Sequence, residues 1–245
     1  MRIGVVRSYV VPAAMLGAAL MLMTAFIGLG VWQLERAESK RVLLAGYEAA
    51  LQAAGPEVRR AQALQQLMAE RPFARLTVVG QYGDRHVLLD NQLSQGRPGW
   101  HVLTPFHLAD GRVVMVNRGW VPLPAGRRLV PALPAPPPVE RVSGIATRLA
   151  RPGLRVAQQR TQGWPRVMQY PSAEDLSAAL GAEVLPWQIL LDPDAPGGFV
   201  RVWTPEVMPP VRHLGYAVQW FALAATVLIV ALVLWWRWRH ESTSE

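Results

Sequence analysis

"RHLGYAVQWFALAATVLIVALVLWWRWR", Arg212–Arg239, decides the architecture of this chain. Leu214 to Trp236 is a run of 23 residues without a charge. A helix rises about 1.5 Å per residue, so the run reaches roughly 35 Å and can cross a hydrocarbon core about 30 Å thick. At its foot stands His213, an ionisable and metal-competent side chain where a helix would enter a bilayer. A second uncharged run, "SYVVPAAMLGAALMLMTAFIGLGVWQL", covers 27 residues between Arg7 and Glu35. It too reads as a span. The alternative is a cleaved signal peptide with Arg2 and Arg7 as its basic start. Against that, the run exceeds the roughly 7–15 residues of such an apolar region, and no clear small-x-small cleavage site follows.

Two spans predict a simple layout: a first helix over 8–34, an outer block over 35–212, a second helix over 213–236 and a tail over 237–245. Arg2, Arg7, Arg237 and Arg239 flank the outer ends of the spans, while Arg36, Lys40 and Arg41 follow the first. Long loops translocate largely regardless of charge, so the short termini set the orientation. Both ends are expected in the cytoplasm and the block outside it. Trp32, Trp235, Trp236 and Trp238 fall at interfacial depth, where amphipathic rings prefer to lie.

The 245 residues allow one ordinary domain plus these accessories. The formal charge of +8 comes from scattered arginines, with short pairs at Arg59-Arg60 and Arg127-Arg128 and a single lysine, Lys40. No basic stripe interleaves with aromatics, so nucleic acid is not the expected partner, whereas anionic membrane lipid is compatible. There is no cysteine, which excludes disulfides, thiolate metal sites and thiol catalysis.

The outer block reads as α+β. "ERAESKRVLLAGYEAALQAA" continues the first helix, with Leu44, Tyr47, Leu51 and Ala54 as an apolar stripe. "EVRRAQALQQLMAE" predicts a second helix through Val58, Ala61, Leu64 and Met68. Strands follow. "FARLTVVGQY" and "HVLLDNQ" flank Gly83-Asp84, a two-residue hairpin signal. "WHVLTPFHL" and "RVVMVNRGWV" flank Ala109-Asp110-Gly111, whose Asp-Gly pair favours a tight turn. "VVMV" is apolar on both faces and should be a central, covered strand. "PALPAPPPVE" cannot enter a sheet interior and serves as an extended connector. "RVSGIATRLA" and "WQILLD" supply further strands, and between them "SAEDLSAALG" opens a short helix at Ser172 with Asp175 three residues on. Five to seven mostly antiparallel strands are expected.

Catalytic chemistry finds little footing. No Gly-x-Ser-x-Gly occurs, and Ser143 lies in a strand without a neighbouring histidine. Asp192 and Asp194 in "DPDAPGG" echo a calcium loop but lack its further oxygen ligands, so a turn is the better reading. His86, His101 and His107 each stand alone and read as solvated strand histidines, since zinc sites gather three or four ligands. "GQYGDRHV" does not open a helix and is no phosphate cradle. The residues describe a twice-anchored binding domain rather than an enzyme.

Three stretches together resemble one family. "GLGVWQLERAESKR" is similar to its Gly-x-Trp-Gln-x-x-Arg segment, through Gly30, Trp32, Gln33 and Arg36. "VVMVNRGWVP" resembles its Asn-Arg-Gly-Trp signature, through Asn117, Arg118, Gly119 and Trp120. "HLGYAVQWFALA" resembles its His-x-x-Tyr-x-x-x-Trp entry into the last helix, through His213, Tyr216 and Trp220. These belong to the Surfeit-locus-one family of cytochrome oxidase assembly factors. Where the family carries an Asn just ahead of the histidine, this chain has Val211 and Arg212.

The resemblance implies a non-enzymatic factor that handles haem a on its way to the catalytic subunit of a haem-copper oxidase, with the haem a synthase as a further partner. It implies His213 as a haem iron ligand, with Arg212 toward a propionate and Tyr216 and Trp220 on the same helix face as Ala217 and Ala224. On that face the two small residues would leave room for a flat molecule. An interfacial histidine that merely marks the helix start is the plainer alternative. For Arg118 and Trp120, a structural bulge and a partner surface both stand open. The first span begins almost at once, so a bacterial inner membrane with the domain in the periplasm is the expected address. A scaffold that clamps oxidase subunits without haem, or a general envelope adaptor, are the competing functions.

Overall fold

The computed structural model describes residues 3–69, 71–124, 133–150, 163–203 and 208–241. The Arg127-Arg128 pair and the start of the proline-rich connector lie outside them. Two compact units emerge, one made of the last helix and the first helix up to Leu44, the other starting at Ala45 and holding the strands.

The first helix, α1, runs unbroken over Ile3–Gln52. The last, named α4 below, covers Pro210–Glu241. Both are long and apolar enough to cross a membrane, and their side chains in the apolar windows are almost wholly exposed. That is the pattern of a helix whose solvent is lipid rather than protein. The α1 stripe shifts slightly from expectation: Tyr47 and Ala50 are buried, whereas Leu51 and Ala54 are exposed.

In the outer unit, β1 (Glu57–Val58) precedes α2 (Ala61–Ala69). The expected helix therefore starts four residues late, because Glu57 and Val58 pair in parallel with Thr77 and Val78. Strands β2 (Phe73–Tyr82), β3 (Val87–Ser94), β4 (Arg97–Leu108) and β5 (Val113–Pro122) follow. Then come β6 (Arg141–Arg148), β7 (Arg166–Met168), α3 (Ala173–Leu180) and β8 (Val184–Leu191). The strand order is β1-β2-β6-β8-β5-β4-β3-β7, with β2 also paired to β4. That extra pairing closes β2, β6, β8, β5 and β4 into a barrel, so these strands expose no long free edge.

Closure depends on β4 serving two neighbours along one edge. Its residues 97–103 pair with β3, and Phe106, His107 and Leu108 pair with Tyr82, Gln81 and Gly80. Gly83-Asp84 is thus no hairpin: β2 and β3 flank it but each pairs with β4 instead. The Asp110-Gly111 turn does join paired strands, with Leu108 N–H donating to the Arg112 carbonyl and Gly111 at φ 78°. The described residues hold eight strands against the five to seven expected; two of them, β1 and β7, are short and each pairs in parallel with its neighbour.

β5 is buried along nearly its whole length, for a simple reason. Val114 and Val116 point into the barrel with Leu76, Val78, Phe106 and Ile189, where α2 adds Ala61, Leu64 and Met68. Val113 and Met115 point the other way, onto Leu176 of α3. Alternation sends both sets to cores. Helix α3 carries the expected capping box, Ser172 Oγ accepting from Asp175 N–H and Asp175 accepting from Ser172 N–H, which contributes about 1 kcal/mol.

Candidate functional site

Side chains on α1 turn away from solvent at Ala19, Met23, Phe26, Gly30, Gln33 and Ala37. On α4 they do so at His213, Ala217, Trp220, Ala224, Val227 and Ala231. Alternating steps of four and three mark the seam of two paired helices. The pairing is antiparallel: Gln33 meets His213, and Phe26 stacks on Trp220 with ring centroids 5.7 Å apart. Small residues along the seam let the backbones approach. At Gly30 a Cβ would sit 2.6 Å from the Phe221 ring, so glycine is required there by close approach.

His213 is only 9% exposed, and its Nδ1 lies 2.8 Å from Gln33 Oε1. A carbonyl oxygen can only accept, so Nδ1 donates this bond, and in the neutral ring Nε2 then holds the lone pair. Nε2 is itself buried and has no hydrogen-bond partner among the described residues. A buried, unsatisfied imidazole nitrogen is costly unless something binds it. The arrangement has the form of a metal-ligating histidine, whose second nitrogen is held by a hydrogen bond that sets tautomer and ring orientation.

The other expected residues divide. Trp220 shares the seam with His213, as do Ala217 and Ala224. The room expected beside the two alanines is taken up by α1, leaving them 1% and 6% exposed. Tyr216 is 45% exposed and stands off the seam. Arg212 is exposed and forms no ion pair among the described residues. Trp32 and Arg36 sit on the neighbouring face of α1, the guanidinium carbon 6.0 Å from the ring, and do not reach His213. The Gln33–His213 contact was not foreseen. Its signal was a polar residue on the same four-three rhythm as Gly30 and Ala37.

The Asn-Arg-Gly-Trp stretch forms a β-bulge. His101 pairs with Trp120 and Leu103 with Asn117, so Arg118 and Gly119 together oppose Val102. Asn117 Oδ1 accepts from Gly119 N–H at 3.2 Å and pins the bulge. Gly119 adopts φ 120°, and a Cβ there would lie 2.7 Å from the Val200 carbonyl oxygen. Beyond the bulge β5 leaves β8 and exchanges hydrogen bonds with Val200. Trp120 is buried, and its indole N–H donates to the Gln92 carbonyl.

Arg118 is fully buried and meets no carboxylate among the described residues. Its Nε donates to Gly197 O at 2.7 Å, Nη1 donates to Pro134 O, and the guanidinium lies over Phe199. Burial pulls its pKa below the usual guanidinium range. Next to it a neutral polar group has formed: Asn117 Nδ2 lies 3.3 Å from Gln188 Oε1 and 3.4 Å from His101 Nδ1. Burial pushes His101 down to about 4, and burial followed by the Arg118 charge lowers His86. His86 and His101 are therefore not the solvated histidines expected; of these three, His107 alone is exposed. Asp192 is engaged by Arg75 at 2.6 Å. Among the described residues no three His, Cys, Asp or Glu side chains gather as a metal site.

Comparison with known proteins places these features. The model of the SURF1 family matches residues 20–225, a range that holds Gln33, His213, Trp220 and the bulge. A SURF1-like protein of Monosiga brevicollis is 26% identical over 85% of this chain and 81% of its own length. One from Rickettsia felis is 31% identical over 41% of this chain, and that match spans 43% of the rickettsial protein. An uncharacterized SURF1-like protein of Mycobacterium bovis is 30% identical over 61% of this chain and 55% of its own.

Proposed function

This chain belongs to the SURF1 family, and we propose that it is a non-enzymatic, membrane-anchored assembly factor for a haem-copper oxidase that carries haem a on His213. The observation that carries this reading is the state of the imidazole: Nδ1 engaged by Gln33, Nε2 buried and unpartnered. Haem iron is commonly held by a histidine nitrogen, and the donor chemistry fits. Because Nε2 is covered, loading requires the side chains around it to move aside. Trp220 offers an aromatic wall beside the ligand. Arg212, one residue toward the water, forms no ion pair among the described residues and is a cation suited to a propionate. Delivery then runs to the oxidase catalytic subunit, with the haem a synthase as source.

The same reading places α1 and α4 in a bacterial inner membrane, with the outer unit in the periplasm. A phosphatase fused at Gly111 should be active and one fused after Glu245 inactive; the reverse pattern overturns the orientation. For the ligand, His213→Ala is purified from membranes that make haem a, and haem is measured per mole of protein as its pyridine derivative. Much less haem at normal abundance is expected. Equal haem content rejects His213 as the ligand.

A second reading has its own observation. A single polar pair in an apolar seam can serve to fix helix register, and Gln33–His213 is such a pair. A scaffold without haem would then suffice. In that case His213→Asn, which keeps an amide partner for Gln33, would restore oxidase activity without any pigment.

A further inference from the structure

The seam between α1 and α4 opens away from His213. Between residues 15–22 of α1 and 226–238 of α4 lies a cleft of about 610 Å³. Its walls are apolar: Ala18, Ala19 and Leu22 on one side, Val227, Ala231 and Leu234 on the other. Thr226, also in the lining, spends its hydroxyl on the Ala222 carbonyl of its own helix. The small residues at seam positions 19 and 231 explain the opening, because they leave the helices without side chains to fill the gap. From Thr226 to Trp238 the cleft follows α4 for roughly 18 Å at 1.5 Å per residue, the length of an extended acyl chain. Trp235, Arg237 and Trp238 line its mouth. Arg237 forms no ion pair among the described residues.

We propose that this cleft binds one acyl chain of an anionic phospholipid whose phosphate is held by Arg237. The slot accounts for the chain, the interfacial indoles for the glycerol level, and the Arg237 guanidinium for the charge. Basic pockets between membrane helices select anionic head groups by this chemistry. The site is independent of His213, which lies more than a dozen residues away along α4.

The test uses the full chain reconstituted in bilayers of equal phosphatidylglycerol and phosphatidylcholine, then re-extracted in mild detergent. Retained lipid is counted per chain by mass spectrometry. Phosphatidylglycerol should be enriched about fivefold over phosphatidylcholine. Arg237→Gln, at the end of the helix, should abolish the preference while leaving some lipid retained. Ala231→Phe should fill the slot and remove most retained lipid of both kinds. Retained lipid that mirrors the bilayer in the unaltered protein overturns the proposal. So does unchanged selectivity in Arg237→Gln. A loss of bound oxidase subunit in Ala231→Phe with lipid retention unchanged would assign the cleft to a partner helix instead.

Discussion

Arg118 Nε donates to the Gly197 carbonyl at 2.7 Å, tying the bulge in β5 to the loop that follows β8. No carboxylate neutralises this guanidinium among the described residues, so its worth lies in the carbonyls and ring it satisfies. Arg118→Ala would remove its charge-assisted hydrogen bonds to the Gly197 and Pro134 carbonyls, a bond of this kind being worth about 1.5–3 kcal/mol. The expected result is a fall of roughly 3 kcal/mol in denaturant unfolding of the outer unit, with Arg118→Lys recovering only part, because an ammonium lacks the planar fork. Unchanged stability with lost oxidase assembly would make Arg118 a partner contact.

Trp120→Ala empties an aromatic-sized volume and should cost about 3–5 kcal/mol. Gly119→Ala should cost about 1–3 kcal/mol through its positive φ, and more because its Cβ meets the Val200 carbonyl. Protein abundance should fall in parallel with oxidase activity in both. Normal abundance with lost activity would contradict the structural assignment.

His101 predicts an acid-sensitive outer unit. Its folded pKa of about 4 lies below the ordinary 6.5, so the unfolded chain takes up the proton first as pH falls. The contribution of this histidine is complete above pH about 6.5, declines on acidification, and is gone once pH passes about 4, a loss of at most about 3 kcal/mol. His86 shifts the same way and adds to the slope. Unfolding midpoints measured across this window should slope less in His101→Gln; an identical slope refutes the attribution.

Gln33→Leu removes the acceptor for His213 Nδ1 but leaves the imidazole in place. If His213 holds iron, haem retention should weaken by about 10–100-fold, the usual cost of losing an orienting hydrogen bond. A spectrum with unaltered intensity and position in Gln33→Leu would show that tautomer control plays no part.

Much of this was readable beforehand where local chemistry decides the outcome. The Ser172–Asp175 capping box and the Asp110-Gly111 turn depend on neighbours in sequence, and both formed as expected. Both apolar helices followed from length alone. Failures cluster where a distant partner decides. Gly83-Asp84 has the composition of a hairpin, yet the strands beside it found better partners on β4. Glu57 and Val58 continue a helical rhythm until β2 offers them a ladder. His101 looked solvated because its cover, Trp203 at 5.5 Å, lies about a hundred residues away. The same holds for Gln33 and His213, whose meeting requires the register of two helices that no local pattern supplies.

The bulge at Arg118 and Gly119 also sets the parity of everything after it. Side chains on a strand alternate faces with period two, so one extra residue inverts inside and outside downstream. Because of it Asn117 and Trp120, three positions apart, lie opposite Leu103 and His101 and so share a face. Laid as a regular ladder, the same residues would set Gly119 opposite His101 and turn Trp120, now buried, to the face away from Asn117. The motif acts as a spacer whose length, as much as its chemistry, is under constraint.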